Sequence, residues 1–222
     1  DVTTPDDVVA EKLRVTERDG YRAENWVLRV PRTGAVIPVN VWIPDKRRDT
    51  LVRLRVDGQI MDGLGHIADP DPDLPYRELV ENGSIRATMG LYRGSSATDR
   101  LVRKVGSFPD TFVATDTAYR AQDVLAATRW LSHYTGGSPV ELWGSGSLGS
   151  DAAVACALAA AVSPVWVTTR LIEAELPSSD EMWVREAYLP GLQSLGGVRA
   201  IAETLAPGRV EFVSGSPVAS PN

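Results

Sequence analysis

The sequence is poor in the residues that build disulfide frameworks and metal centres. Its 222 residues include one cysteine, Cys156, and two histidines, His66 and His133. A single cysteine excludes an internal disulfide framework, and three such side chains are too few for a Cys/His metal cluster. We therefore expect no metal ion and no cofactor.

Excess positive charge and long apolar runs are also missing. The formal net charge is -6, whereas nucleic acids and anionic membranes attract proteins with a basic face. The longest small-residue apolar run, residues 152–162, is too short to cross a bilayer. These features predict a soluble protein without a nucleic-acid or membrane partner.

The length and the termini suggest how the chain is organised. With 222 residues and 43% hydrophobic content, we expect one domain over residues 1–222, with a polar lead-in at 1–10 and a loose tail at 215–222. The chain begins at Asp1 without an initiator methionine or a signal sequence, as a processed chain does. The compartment stays open, and secretion from a bacterium after signal removal is one expectation.

Alternating apolar residues near the N-terminus predict antiparallel strands. The alternation covers residues 12–16, 24–30 and 36–43, and Pro31 to Gly34 form a turn between the last two. From residue 51 onward, strands and helices alternate. The predicted strands are 51–56, 84–91, 140–143, 165–168 and 210–213, and the predicted helices are 74–81, 117–134, 152–162 and 198–205. A long irregular segment is expected from Arg170 to Leu195.

This order predicts an α/β fold of three layers. An antiparallel N-terminal hairpin leads into a mostly parallel, twisted sheet, and helices cover both faces. The segment from Pro139 to Val162 then carries the most specific pattern: a β-prone run, a turn rich in glycine and serine, and a helix. Strand, sharp turn and helix make up the nucleophile elbow, Gly-x-Ser-x-Gly.

With this elbow and this order of elements, the chain resembles the α/β-hydrolase fold over nearly its full length. It looks most like the acetyl-esterase, dienelactone-hydrolase-like and prolyl-oligopeptidase-type domains. Further stretches carry the likeness in the family's order: residues 39–44, 51–58, 81–94, 116–130 and 189–207. The resemblance implies a three-layer α/β-hydrolase-like domain.

The elbow fits the motif in two registers. In the first, Gly144 is the first glycine, Gly146 occupies the nucleophile position and Leu148 replaces the second glycine. In the second, Ser147 is the nucleophile and Ser145 replaces the first glycine. The short distance from the last apolar strand residue to the turn favours the first register, in which the elbow is degenerate.

The resemblance also implies a set of site residues. A working member needs a serine, a histidine base, a carboxylate that orients the histidine, and backbone donors for the oxyanion. The family's histidine follows the last strand, but this chain has no histidine after His133. An active form would therefore use Ser147, His66 as a relocated base, and Asp180 or Glu173 as the carboxylate. The donors for an oxyanion or another anion would come from Gly58, Ser145, Gly146 and Ser147.

His133, Ser145 and Ser147 have simpler roles in an inactive chain. His133, near the end of a predicted helix, is expected only to interact with the helix dipole. Ser145 and Ser147 are expected to cap the N–H groups of the helix that follows.

Three functions stay open at this point. The first is a domain that has lost hydrolytic activity and acts as a structural or binding module, with a protein partner or a further domain. The second is an active serine esterase on acetyl or other small acyl esters of carbohydrates. The third is a fragment of a larger hydrolase whose histidine lies outside these residues. Gly146 and the lack of a late histidine favour the first.

Overall fold

The computed structural model describes residues 8–57, 83–90, 116–144, 167–172, 196, 199–200, 203–204 and 210–213. These residues form one eight-stranded mixed sheet and the helix α1, Asp116–Tyr134. The strands, in chain order, are β1 Val9–Arg18, β2 Tyr21–Val30, β3 Ala35–Pro44, β4 Val52–Asp57, β5 Ile85–Gly90, β6 Val140–Gly144, β7 Val167–Ile172 and β8 Val210–Val213. Their spatial order is β1-β2-β3-β5-β4-β6-β7-β8.

The first three strands form an antiparallel meander. β1 and β2 are joined by the two-residue loop Asp19-Gly20, and β2 and β3 by the turn at 31–34. Gly20 and Gly34 have φ values of +83° and +72°, which side chains larger than glycine rarely adopt. The meander therefore depends on these two glycines to reverse the chain.

The remaining strands form the parallel part of the sheet. β5 pairs antiparallel with β3 on one side and parallel with β4 on the other. β4 then pairs with β6, β6 with β7 and β7 with β8, all parallel. The chain first runs from β4 to β5 on one side and later returns to β6 on the other. The strand order thus reverses between β4 and β6.

The hydrophobic core lies on the face of the sheet that α1 covers. α1 contacts β3, β4 and β6, and its Val124 and Leu131 are fully buried. The strand residues on this face are also buried and apolar, and include Leu28, Ile37, Val39, Leu54, Met89 and Leu142. Burial of such side chains stabilises each by about 1.5–3 kcal/mol, so this face anchors the sheet.

Most of the predicted elements are confirmed. The mixed sheet with an antiparallel start is present, α1 begins one residue before the predicted helix, and β8 has the predicted bounds. Residues 199–200 and 203–204 are helical, as predicted. The predicted helices 74–81 and 152–162 lie outside the described residues.

Two expectations about boundaries were wrong. β1 begins at Val9, inside the predicted lead-in 1–10. The alternation of Leu13 and Val15 does not extend to the ends of this exposed strand, so the sequence predicted only its middle. The antiparallel start itself is confirmed, with β1, β2 and β3 at the three alternating segments. β7 extends to Ile172, so Arg170 lies in a strand and not in an irregular segment.

Candidate functional site at the carboxyl ends of the parallel strands

Three neighbouring parallel strands end together at one edge of the sheet. Val56 of β4 is the partner of Gly144 of β6, and Gly144 is the partner of Leu171 of β7. Adjacent strands lie about 4.8 Å apart. The chain therefore leaves β4 toward Gly58, and β6 toward Ser145, at neighbouring points of the same edge.

These carboxyl ends lie where the strand order reverses, between β4 and β6. In open α/β sheets, ligands bind in the crevice outside the carboxyl ends of the strands at such a switch point. The switch point therefore lies where the predicted elbow and the predicted oxyanion segment begin.

The predicted site residues themselves lie outside the described residues. This holds for Gly58, His66, Ser145, Gly146, Ser147 and Asp180, and for the alternative carboxylate Glu173. The described sheet brings together the strand ends that precede Gly58 and Ser145. The roles of all seven residues stay predictions.

His133 lies at the opposite end of the parallel strands, where these strands begin. We call this end of the sheet the amino edge. His133 is exposed in the last turn of α1, and the chain then passes through residues 135–139 into the first residue of β6. β6 has five residues, so its two ends are about 13 Å apart. His133 therefore belongs to the amino edge of the parallel strands, as expected for a histidine beside a helix C-terminus.

The amino edge is held by a dense set of hydrogen bonds. Arg47 donates to the Ser138 hydroxyl at 2.6 Å and to the carbonyl oxygens of Thr50 and Thr135 at 2.9 and 3.3 Å. Val52 N–H donates to the Pro139 carbonyl at 3.0 Å. These bonds tie the connection before β4 to the connection before β6.

Asp49 completes this edge. It accepts hydrogen bonds from the Leu51 N–H, from Arg53 and from the Ser84 hydroxyl. Burial alone would raise the pKa of Asp49, but the Leu51 N–H and the Arg53 guanidinium outweigh it and hold the pKa below its usual range. The amino edge is thus held together by hydrogen bonds and by the ion pair of Asp49 with Arg53.

A second carboxylate, Glu24, is almost fully buried on the α1 face, with 1% exposure. It accepts hydrogen bonds from Lys12, Arg22, Trp26 and the Tyr134 hydroxyl, at 3.0, 3.0, 2.9 and 2.6 Å. Burial alone would raise its pKa, but the bonds from Tyr134, Lys12 and Trp26 outweigh it and lower the pKa. Burial and the bond to Glu24 raise the pKa of Tyr134 to about 12.

The Glu24 cluster therefore links β1, β2 and the end of α1. Trp26 also packs edge-on against Trp130, with the ring centroids 5.1 Å apart. Sequence reasoning missed the Glu24 cluster because Glu24 and Tyr134 are 110 residues apart along the chain.

The face opposite α1 carries a row of charges across four strands. Glu141 of β6 accepts from Arg53 of β4 at 3.0 Å and from the Trp143 indole at 2.8 Å. Arg170 of β7 pairs with Glu141 at 3.3 Å and with Glu211 of β8 at 3.1 Å. We call these residues, Arg53, Glu141, Arg170 and Glu211, the charged row. Their alternation with apolar neighbours in the sequence was the signal that could have revealed a polar sheet face.

Comparisons with known proteins identify the fold. No family model and no curated protein matches the sequence. A protein assigned as an acetyl xylan esterase from Bacteroides fragilis aligns over 93% of this chain and 69% of its own length, with 15% identity and a TM-score of 0.55. Glucuronoyl esterase from Solibacter usitatus aligns over 94% of this chain and 60% of its own length, with 12% identity and a TM-score of 0.52.

A cold-adapted esterase from an Arctic intertidal metagenomic library aligns over 73% of this chain and 64% of its own length, with 17% identity and a TM-score of 0.45. At identities this low, the matches above a TM-score of 0.5 show the architecture and not the chemistry. The chain has the α/β-hydrolase fold.

The helices offer no candidate for a membrane span. Within the described part of the chain, none has both the length and the hydrophobicity to cross a bilayer.

Proposed function

We propose that this chain is an α/β-hydrolase-fold domain without hydrolytic activity, used as a binding module at the crevice beyond β4 and β6. The observation that carries the proposal is the position of His133 at the amino edge. A general base must come within hydrogen-bond reach of the group it deprotonates. Of the two histidines in the chain, only His66 follows a strand that ends at the crevice.

The end of β6 supports the same conclusion. Gly144 is the last residue of this strand and pairs with both neighbouring strands. In a nucleophile elbow the turn follows the strand directly. A strand that ends at Gly144 supports the register in which Gly144 is the first glycine and Gly146 occupies the nucleophile position.

The backbone N–H donors expected at this crevice indicate which chemical groups it would bind. Without a nucleophile, the backbone N–H groups of Ser145, Gly146 and Ser147 would still point toward the crevice and would favour a carboxylate or phosphate group. A carbohydrate that carries a carboxylate group fits this description. A protein partner that inserts an acidic side chain into the crevice would present the same carboxylate group.

The test is an assay of ester hydrolysis on the folded protein. We expect no turnover of 4-nitrophenyl acetate or acetylated xylan above the rate of the Ser147→Ala variant. Circular dichroism of both proteins establishes that the inactive samples are folded. Turnover that Ser147→Ala abolishes would contradict the proposal.

The second candidate is an active serine esterase, with Ser147 as nucleophile, His66 as base and Asp180 or Glu173 as the orienting carboxylate. It is supported by the names of the two structural neighbours, an acetyl xylan esterase and a glucuronoyl esterase. In that case His66→Ala should reduce kcat by several orders of magnitude, while Asp180→Asn or Glu173→Gln reduces it less.

The third candidate is a hydrolase whose histidine is supplied by a segment beyond these residues. The chain aligns with 69% and 60% of the length of those two neighbours. Hydrolysis by a longer gene product, but not by residues 1–222 alone, would support it. We further propose one domain over residues 1–222, which predicts a single unfolding transition, and secretion by a bacterium, which predicts the mature chain outside the producing cells.

A further inference from the structure

Strand β1 forms one edge of the sheet. It pairs with β2 on its inner side, and no strand of the described residues pairs with its outer side. β1 has ten residues, nearly all exposed, and contains no proline. Val9, Leu13 and Val15 are 56%, 51% and 45% exposed. A long exposed edge offers a row of backbone donors and acceptors to another strand.

We propose that two copies of this chain pair through β1, antiparallel and about a two-fold axis, so that their sheets become continuous. Homodimers with such an axis use the same surface on both subunits, so that surface must be complementary to itself. The sequence of β1 meets this condition in one particular register.

A β-bulge sets that register. Lys12 is the partner of Trp26 and Arg14 the partner of Asn25, so Leu13 is an extra residue in β1. Consequently Lys12, Val15 and Glu17 lie on the α1 face of the sheet, and Glu11, Arg14 and Arg18 lie on the other face. Paired residues of two antiparallel strands must share a face.

With Val15 on the two-fold axis, the faces and the charges both match. Arg14 then lies opposite Thr16, Lys12 opposite Glu17, and Glu11 opposite Arg18. Each of the two charged pairs occurs twice in the dimer because of the symmetry. Opposite charges placed directly across a strand pair stabilise it, and like charges destabilise it.

The neighbouring registers lack this complementarity. An axis at Arg14 places two arginines opposite each other. An axis at Thr16 places Arg14 opposite Arg18 in two pairs. Mixed charges and bulges can also protect an edge from pairing, but such protection does not require the charges to be self-complementary. The register with Val15 on the axis is therefore the one that the sequence of β1 favours.

Cysteine cross-linking tests the register directly. Opposed residues in an antiparallel pair have Cα atoms about 4.5–5.5 Å apart, within the range of a disulfide. In a Cys156→Ala background, Val15→Cys should form a covalent dimer under mild oxidation. Leu13→Cys is the control on the same strand, and Val36→Cys is the control at an exposed valine of β3.

We expect a covalent dimer from Val15→Cys and little from either control. No covalent dimer from Val15→Cys, or equal amounts from all three variants, would overturn the proposal. The result does not depend on catalysis and is therefore independent of the proposed function.

A charge-swap series tests the complementarity. Light scattering should give wild-type protein a mass of twice 24.0 kDa, with dissociation at high salt. Arg18→Glu places Glu11 opposite a carboxylate and should produce monomers, and so should Glu11→Arg. The double variant Glu11→Arg/Arg18→Glu restores the pairing and should restore the dimer.

The side chain of Glu11 also contacts Arg29 at 3.5 Å, but both are more than half exposed, so its loss should leave the fold intact. A monomeric wild-type protein at every concentration, or a double variant that stays monomeric while both single variants do, would overturn the proposal.

Discussion

The two faces of the sheet are formed by alternate residues of the same strands, but different forces stabilise them. On the α1 face, Leu54 and Leu142 are at most 1% exposed and pack among apolar side chains. On the other face, their neighbours Arg53 and Glu141 form ion pairs in the charged row. In β4 and β6, one face therefore depends on hydrophobic burial, and the other on hydrogen bonds and charge pairs.

The difference shows what each face contributes. Hydrophobic burial is non-directional and supplies most of the stability. A row of paired charges contributes less to stability, because desolvation offsets much of the attraction between the charges. Such a row does fix which strand neighbours which, since Glu141 contacts residues of both adjacent strands.

The largest effect is expected from a cavity on the α1 face. Leu54 is fully buried in the centre of the sheet, so Leu54→Ala should lower the free energy of unfolding by about 3 kcal/mol. Urea denaturation followed by circular dichroism measures this. A loss smaller than that caused by Glu141→Ala would contradict the comparison of the faces.

A smaller effect is expected at the centre of the charged row. Glu141→Ala removes the acceptor shared by Arg53, Trp143 and Arg170, and should cost about 2 kcal/mol. The arginines keep other partners in Asp49 and Glu211, which limits the loss. Glu141→Gln keeps one acceptor oxygen and should cost less than Glu141→Ala in the same denaturation experiment.

Tyr134→Phe removes one donor to Glu24 and should cost about 1.5 kcal/mol near neutral pH. The pKa of Tyr134 is raised from 10.0 to about 12 in the folded protein. Its contribution is therefore full below pH 10 and is lost as the pH rises toward about 12. Urea denaturation at several alkaline pH values should show the two proteins converging, and a gap that stays constant would refute the assignment.

The contribution of Glu24 to stability depends on pH in the opposite direction to that of Tyr134. The lowered pKa of Glu24 contributes stability above its ordinary value of 4.5, and this is lost as the pH falls through the folded-state pKa. Glu24→Gln should therefore flatten the acid limb of the stability profile, whereas Tyr134→Phe should flatten the alkaline limb.

The smallest effect is expected at the exposed end of the charged row. The Glu211 side chain is 66% exposed, so Glu211→Ala should change the free energy of unfolding by less than about 1 kcal/mol. High salt should reduce even this difference. An effect as large as that of Glu141→Ala would mean that burial does not determine the strength of these pairs.

The elements with strong periodicity could be predicted from the sequence. The spacing of Val124, Leu125 and Leu131 predicted α1, and the short apolar runs before and after the elbow predicted β6 and β8. In these elements the apolar residues are buried in the core or packed against it, so the residue pattern follows the structure.

Where strand residues are exposed or charged, the sequence pattern predicted only part of the strand. β1 is exposed, so Val9 and Ala10 gave no signal of a strand. The irregular segment predicted from Arg170 begins inside β7, where Arg170 is held by Glu141 and Glu211 of the neighbouring strands, and no local pattern shows those contacts. The Glu24 cluster depends on Tyr134, and no local pattern predicts a contact over that separation.

The candidate site was predictable only in its location. The order of strands placed the elbow after β6 and the oxyanion segment after β4, and the parallel register brings those two strand ends together. Whether the residues beyond them can react depends on side-chain positions within a few tenths of an ångström, which no residue pattern encodes.

The most direct test of the central claim, that the fold is that of a hydrolase but the elbow does not react, is intact-mass analysis after incubation with a fluorophosphonate. This reagent marks serines that a neighbouring base activates. We predict no adduct on the folded protein, so that neither wild type nor Ser147→Ala gains mass on incubation. A single adduct that maps to Ser147 or Ser145 would contradict the account and would identify a working nucleophile with His66 as its candidate base.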